Sequence, residues 1–297
     1  MFKGENILEF TDKFNSDKAC LAYLAEIKWS DGFICTKCGH DKHTVRKKNL
    51  ARDCNRCHHI ESPIVDTLFH RIRFGLRKAF TIVFEMSATS KGLSSLQVAK
   101  RYSISPTTAW TFMHKVRKAM ESSQQQPMKG NIQVDEFVYG GKENLKQGRS
   151  YDTKKKKLVV AVELSDKGKV KRVYFNKLKD YSAKSLQVIF DNHISPQAKI
   201  KTDKWSGYKP ISKKYNITQE LSAGGSSMQQ LHTIIHQVKS WLRSTYSWMH
   251  KGHIESYLAE YSFRINRSIY KDSIFHKLIQ RMVNANPYSY QMITISS

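Results

Sequence analysis

Two C-x-x-C pairs set the first boundary on what this chain can be. Cys35-Thr36-Lys37-Cys38 and Cys54-Asn55-Arg56-Cys57 stand 15 residues apart. Each pair makes a turn that presents two thiolates on one side, and two such turns complete a tetrahedron around zinc. Four thiolates leave no open coordination position, so the predicted ion is structural. A redox pair or disulfides would use the same residues, but a reducing compartment favours metal. Gly39 suits a tight knuckle after the first pair. Lys37, Lys42, Arg46, Lys47, Lys48, Arg52 and Arg56 surround the motif and make it a candidate phosphate-contacting module. The fifth cysteine, Cys20, lies on a predicted helix capped by Ser16 and Asp17, with Leu21, Leu24 and Ile27 at core spacing, and reads as a packed residue.

Charge narrows the partner. Fifty Lys and Arg face 25 Asp and Glu, a formal net charge of +25 in 297 residues. Such an excess opposes compaction and suits a polyanion, here nucleic acid. The first residues carry Lys3, Glu5, Glu9, Asp12 and Lys13 with no apolar core, so no secretory leader is expected. No run approaches the roughly 20 apolar residues that span a bilayer. A soluble, cytoplasmic protein without membrane contact is therefore expected.

The chain divides into four segments by pattern. Residues 1–62 read as an N-terminal helix and zinc ribbon. Residues 63–121 are helical: Ala79, Ile82, Val83 and Met86 mark one helix, Ser94–Tyr102 a second, and Thr107–Met120 a third. Ser105 and Pro106 provide an N-cap and a first helical residue for the third, which completes the outline of a helix-turn-helix. That placement makes Thr107, Thr108, Thr111 and Lys115 candidates to face a DNA groove, with an ordinary helical hairpin carrying solvated charges as the alternative. Residues 122–130, including Ser122-Ser123-Gln124-Gln125-Gln126-Pro127, read as a linker. Residues 131–297 then change to an α/β pattern: strands at Ile132–Tyr139, Leu158–Glu163, Val170–Phe175 and Lys199–Thr202, and helices at 182–193, 229–243 and 251–267.

Acids are scarce, so those on apolar strands stand out. Asp135 lies inside the first of these strands, where a carboxylate is disfavoured unless paired or metal-bound. Its neighbour Glu136 should point to the opposite face. Asp203 ends the Lys199–Thr202 strand, and strand ends are where α/β sites assemble. Glu260 lies at the edge of the apolar stripe of the last helix, in line with His253 and Arg267, and Arg264 follows one turn later. Asn266 is about 120° from Glu260 on that helix. Two Asp and one Glu can hold Mg²⁺ or Mn²⁺ for phosphodiester displacement. Solvated or salt-bridged acids are the alternative. Lys142 and the basic loop to Lys157 follow the Asp135 strand, and His232, His236, Lys239 and Arg243 run beside the apolar stripe of 229–243. Both are candidate phosphate tracks.

Val134-Asp135-Glu136-Phe137-Val138-Tyr139-Gly140-Gly141-Lys142, Thr202-Asp203-Lys204-Trp205-Ser206-Gly207-Tyr208, Lys239-Ser240-Trp241-Leu242 and the run from His253 to Arg267 carry a resemblance. From about residue 16 to 270 the chain resembles bacterial insertion-sequence transposases of the DDE class, in the group with an N-terminal zinc ribbon. The resemblance implies a ribonuclease-H-like catalytic fold that cuts double-stranded DNA at element ends and transfers the 3′-hydroxyl to a target. It implies Asp135, Asp203 and Glu260 as the three metal-binding acids, with Asn266 as a rival third ligand and Arg267 where a basic residue often follows; the helix position of Arg264 and Arg267 beside Glu260 makes both candidate DNA phosphate contacts. It also implies at least a dimer on DNA. Ser244-Thr245-Tyr246-Ser247 departs from the family's usual Gly-Thr-His. A DNA-binding regulator, a catalytically decayed transposase, or a metal-dependent nuclease without joining activity are the alternatives.

Overall fold

The computed structural model describes residues 1–4, 6–89, 91–141, 155–221, 223–246 and 249–295. Among them the chain forms two compact units: 1–120 with 269–296, and 121–268. In chain order the first unit holds α1 (Ile7–Lys13), α2 (Asp17–Lys28), strands β1 (His43–Val45), β2 (Arg52–Cys54) and β3 (Ile60–Glu61), then α3 (Leu76–Ala88), α4 (Ser95–Tyr102) and α5 (Pro106–Met120). The second holds β4 (Asn131–Tyr139), β5 (Lys156–Leu164), β6 (Val170–Leu178), α6 (Ala183–His193), β7 (Lys199–Thr202), β8 (Ile217–Gln219), α7 (Gln229–Thr245) and α8 (Ile254–Ile265). Helices α9 (Lys271–Asn284) and α10 (Tyr290–Ile295) return to the first unit.

The sequence predicts a catalytic segment running to residue 297, and the structure divides the chain earlier. The reason is the apolar stripe of α9. Phe275 is 2% exposed and packs against the rings of Phe2, Phe10, Phe14, Phe80 and Phe84, which form the core of the first unit. Local chemistry sets the helix boundaries there. Ser16 caps α2 by accepting from the Ala19 amide, and Ser94 with Gln97 makes a capping box for α4. Ser103 takes a left-handed conformation (φ 49°) that turns the chain, and Ser105 then accepts from the Thr108 amide to start α5. Cys20 is fully buried, as its helix position predicts, and burial pushes its thiol up to about 12.

The second unit is a mixed five-stranded sheet in the order β6-β5-β4-β7-β8. Strands β4, β5 and β6 form an antiparallel meander, while β7 pairs parallel to β4 and β8 parallel to β7. This is a ribonuclease-H-like arrangement. Alternation along β5 feeds two cores. Leu158, Val160 and Val162 pack under α7 and α8, and Val159 and Ala161 pack under α6. The expected linker 122–130 is more than a tether. Arg172 donates to the carbonyls of Gln126 and Pro127, and the Met128 amide donates to the His193 carbonyl, so the second half of the segment is tied to the sheet before β4 begins.

Asn266 has a structural task on the outer edge of this sheet. Its Oδ1 accepts from the Val173 amide at 2.7 Å and its Nδ2 donates to the Val173 carbonyl at 3.1 Å. The side chain thus pairs with the edge strand β6 as a neighbouring strand would. The Glu255 carboxylate adds a bond from the Lys177 amide on the same strand. Both ends of the Asn266 amide are engaged there.

Candidate functional site

The zinc ribbon is built by two matching knuckles. The Gly39 amide donates to the Cys35 carbonyl and the Cys35 amide to the His40 carbonyl; the His58 amide donates to the Cys54 carbonyl and the Cys54 amide to the His59 carbonyl. Gly39 (φ 72°) and His58 (φ 54°) occupy equivalent left-handed positions, so the second knuckle accepts a strained histidine where the first has glycine. Sulfur atoms of Cys35 and Cys57, and of Cys38 and Cys54, lie 3.6 Å apart. A tetrahedron with Zn–S near 2.3 Å has edges of about 3.8 Å, so the four thiols fit a zinc ion. Glu61 braces the first knuckle by accepting from the amide and hydroxyl of Thr36. Trp29 and Phe33 back the cysteines, and the Arg52 guanidinium lies 4.2 Å over the Trp29 ring.

In the helical region Thr107, Thr108, Thr111 and Lys115 line one groove of about 270 Å³ with Arg71 and Arg73. Sequence does not single out the two arginines, because no periodicity marks the turn that carries them. Lys115 donates to the His70 carbonyl at 2.8 Å, and burial pushes its ammonium down from the usual lysine range.

The acidic site forms where β7 stops. Parallel pairing between β4 and β7 ends at Gln133 and Lys201. Continuing that register by two residues brings Asp203 level with Asp135. Asp203 opens a tight loop: its Oδ1 accepts from the Trp205 amide at 3.0 Å, and Gln219 on β8 donates to the carbonyls of Asp203 and Trp205. The carboxylates of Asp135, Glu136 and Asp203 come together with ligand atoms within 4.8 Å of one another. Asp135 and Glu136 are each 9% exposed. They line a cavity of about 520 Å³ with Trp205, His232, His236 and Lys239. Burial, reinforced by Glu136 and then Asp203, raises the Asp135 carboxyl to about 7.

Two members of this site are not predicted by sequence. Glu136 is expected on the far face of the sheet, and strand alternation does put it there. Past Gln133, however, β4 has lost its β7 neighbour, and the Glu136 carboxylate accepts from Tyr208 in the loop after Asp203. His232 reads in sequence only as part of a phosphate track. Its Nε2 is buried, has no hydrogen-bond partner among the described residues, and faces Asp135 Oδ2 at 4.0 Å. Burial first, then His236 and Lys239, lower its proton affinity, so the ring is a neutral donor. The signal available in sequence is its place on the same helix face as Lys239, two turns on.

Glu260 is not brought to this cluster. It is fully buried, accepts from Arg264 Nη1 at 3.1 Å and from the Tyr246 hydroxyl at 3.4 Å, and does not line the cavity. The α8 helix turns that position inward, where Tyr246 at the end of α7 meets it. Arg264, expected to contact DNA, pairs with Glu260 and is 11% exposed. Arg267 lies 4.0 Å over the Phe263 ring. On α7, Lys239 lines the cavity with its ammonium 5.3 Å from the Phe137 ring, and Arg243 is exposed farther along the helix. Lys142 lies outside the described residues.

Two family models match the chain. One, described as an ISXO2-like transposase domain, covers residues 127–266, and the other, a transposase zinc-ribbon domain, covers residues 15–60. Among curated proteins none matches the chain closely enough to serve as a relative. Among the described residues no helix is long and apolar enough to cross a membrane.

Proposed function

The chain belongs to the DDE-class bacterial insertion-sequence transposases that carry an N-terminal zinc ribbon, and on that premise we propose that its α/β unit cuts DNA at element ends and joins the freed 3′ end to a target. Asp135, Asp203 and His232 hold a pair of divalent metal ions in this reading. The observation that carries it is the meeting of Asp135, inside β4, with Asp203, just past the end of β7; the His232 Nε2, which has no hydrogen-bond partner among the described residues, lies 4.0 Å from Asp135. Carboxylates with one neutral imidazole are a donor set for Mg²⁺ or Mn²⁺.

Bound there, two divalent ions would activate the attacking oxygen and neutralise charge gathering on the phosphate. The chain's own residues do the rest. Asp203 is aimed by the Trp205 amide and fixed by Gln219. Lys239 places a cation at the rim of the cavity, and Arg243 extends the track along α7 for the phosphates of the bound strand. The groove beside α5, with Thr107, Thr108, Thr111, Arg71 and Arg73, holds the element end in a DNA groove. The zinc ribbon contributes phosphate contacts, and two copies act on two ends.

Asp203→Asn tests the reading. With a duplex carrying the ends of the element that encodes the chain, the variant should bind like the wild type and make no Mn²⁺-dependent cut. Retained cleavage would remove Asp203 from the chemistry and with it the reading.

A further inference from the structure

Glu136 is the acid that strand alternation turns away from Asp135. It shares a face with Ile132 and Val134, which pack under α6, whereas Asp135 faces His232 on α7. Its carboxylate nonetheless joins the other two, and a particular device aims it. Tyr208 is fully buried, and its hydroxyl donates to Glu136 Oε2 at 2.6 Å. Tyr208 ends the short turn Ser206–Tyr208 in the loop that begins with Asp203, so a single loop orients both carboxylates.

That loop is held hard. The Trp205 indole donates to the Tyr181 carbonyl at 3.0 Å. A Cβ on Gly207 would meet the indole Nε1 at 2.6 Å and the Tyr181 carbonyl at 2.9 Å, so only glycine fits at that position. A carboxylate set among two others in a buried cleft is costly unless a cation is shared between them. The Tyr208 phenol engages one oxygen of Glu136.

We propose that Glu136, aimed by the hydroxyl of Tyr208, is a third carboxylate ligand of the divalent metal centre, reaching it from the opposite face of the sheet to Asp135. The proposal rests on the metal-dependent reading of that centre. Tyr208 is then a positioning residue: it touches neither metal nor DNA and acts through Glu136. The charge balance follows. Three carboxylates and a neutral imidazole against two divalent ions leave a single positive charge, which one phosphodiester neutralises.

The experiment titrates Mn²⁺ into the full-length protein and reads free Mn²⁺ by electron paramagnetic resonance, in the wild type, Glu136→Gln, Tyr208→Phe and Asp203→Asn. Glutamine at 136 can still accept from Tyr208, so the fold is kept while the charged ligand is lost. Expected is a Kd raised about 100-fold in Glu136→Gln and about tenfold in Tyr208→Phe, the range over which disturbed ligand shells weaken metal sites. Cleavage by Tyr208→Phe should need more Mn²⁺ and recover its full rate at saturation. A Tyr208→Phe protein that melts earlier yet keeps the wild-type Kd would show a purely structural hydroxyl and overturn the proposal. Wild-type affinity in both Glu136→Gln and Tyr208→Phe, with binding lost in Asp203→Asn, would also overturn it and leave the metal reading standing. A wild-type protein that binds no Mn²⁺ would sink both.

Discussion

Substituting Glu260 separates two roles that sequence alone cannot. The group is fully buried, and its Oε1 is 3.1 Å from Arg264 Nη1, whose side chain is 11% exposed. Removing one member of such a pair strands the other charge in a poorly solvated place. Glu260→Leu should therefore destabilise the α/β unit by about 3–5 kcal/mol, the range for breaking a buried pair. Glu260→Gln keeps an acceptor for Arg264 and Tyr246 and loses only the charge assistance, so about 1–3 kcal/mol is expected. Urea unfolding followed by tryptophan fluorescence reads this as a lower midpoint at unchanged slope. Mn²⁺ affinity of the folded Gln variant should match the wild type, because Glu260 lies outside the cluster of Asp135, Glu136 and Asp203. A third-ligand role makes the opposite forecast. Taking a carboxylate out of a crowded anionic site would leave the metal-free protein as stable or more so, and would abolish Mn²⁺ binding. That pair of results would refute the buried-pair role of Glu260.

The zinc ribbon should hold one zinc per chain by elemental analysis, and Cys54→Ser should lose the metal and open residues 33–61 to protease while Mn²⁺ binding in the other unit persists; retained zinc and protection would remove Cys54 from the ligand set. Protons should compete with Mn²⁺ at Asp135. Its carboxyl is raised to about 7 in the metal-free protein, so affinity should fall about tenfold per unit as pH drops below that value and level off above it. The same raised value means the metal-free fold is helped by this group at low pH and loses that help as pH rises from the unfolded value, 3.8, through about 7. Calorimetric titration at about pH 5.5 to 8.5, a range that brackets the raised value, measures the first effect, and a flat profile would contradict it.

Much of this protein is written locally. Two C-x-x-C pairs at ribbon spacing, serines placed to cap α2, α4 and α5, and β-branched runs for β4 to β7 act through neighbours a few residues away. Short-range periodicity therefore reveals them, along with Asp135 and Asp203 at strand positions hostile to an acid. Partner choice over long distances is another matter. The apolar stripe of α9 requires a core but does not say which, and only packing puts Phe275 among Phe2, Phe10, Phe14, Phe80 and Phe84. Asn266 and Glu260 sit in one recognisable run, yet the edge of β6 takes the first and Arg264 the second. Glu136 joins the acidic site through Tyr208 in the loop after β7, and His232 because α7 packs over the sheet face to which Asp135 points. Helix and strand patterns record which face is apolar. The meeting of side chains separated by about 70–100 residues depends on where a strand stops and how a helix is turned, and only the folded chain decides that.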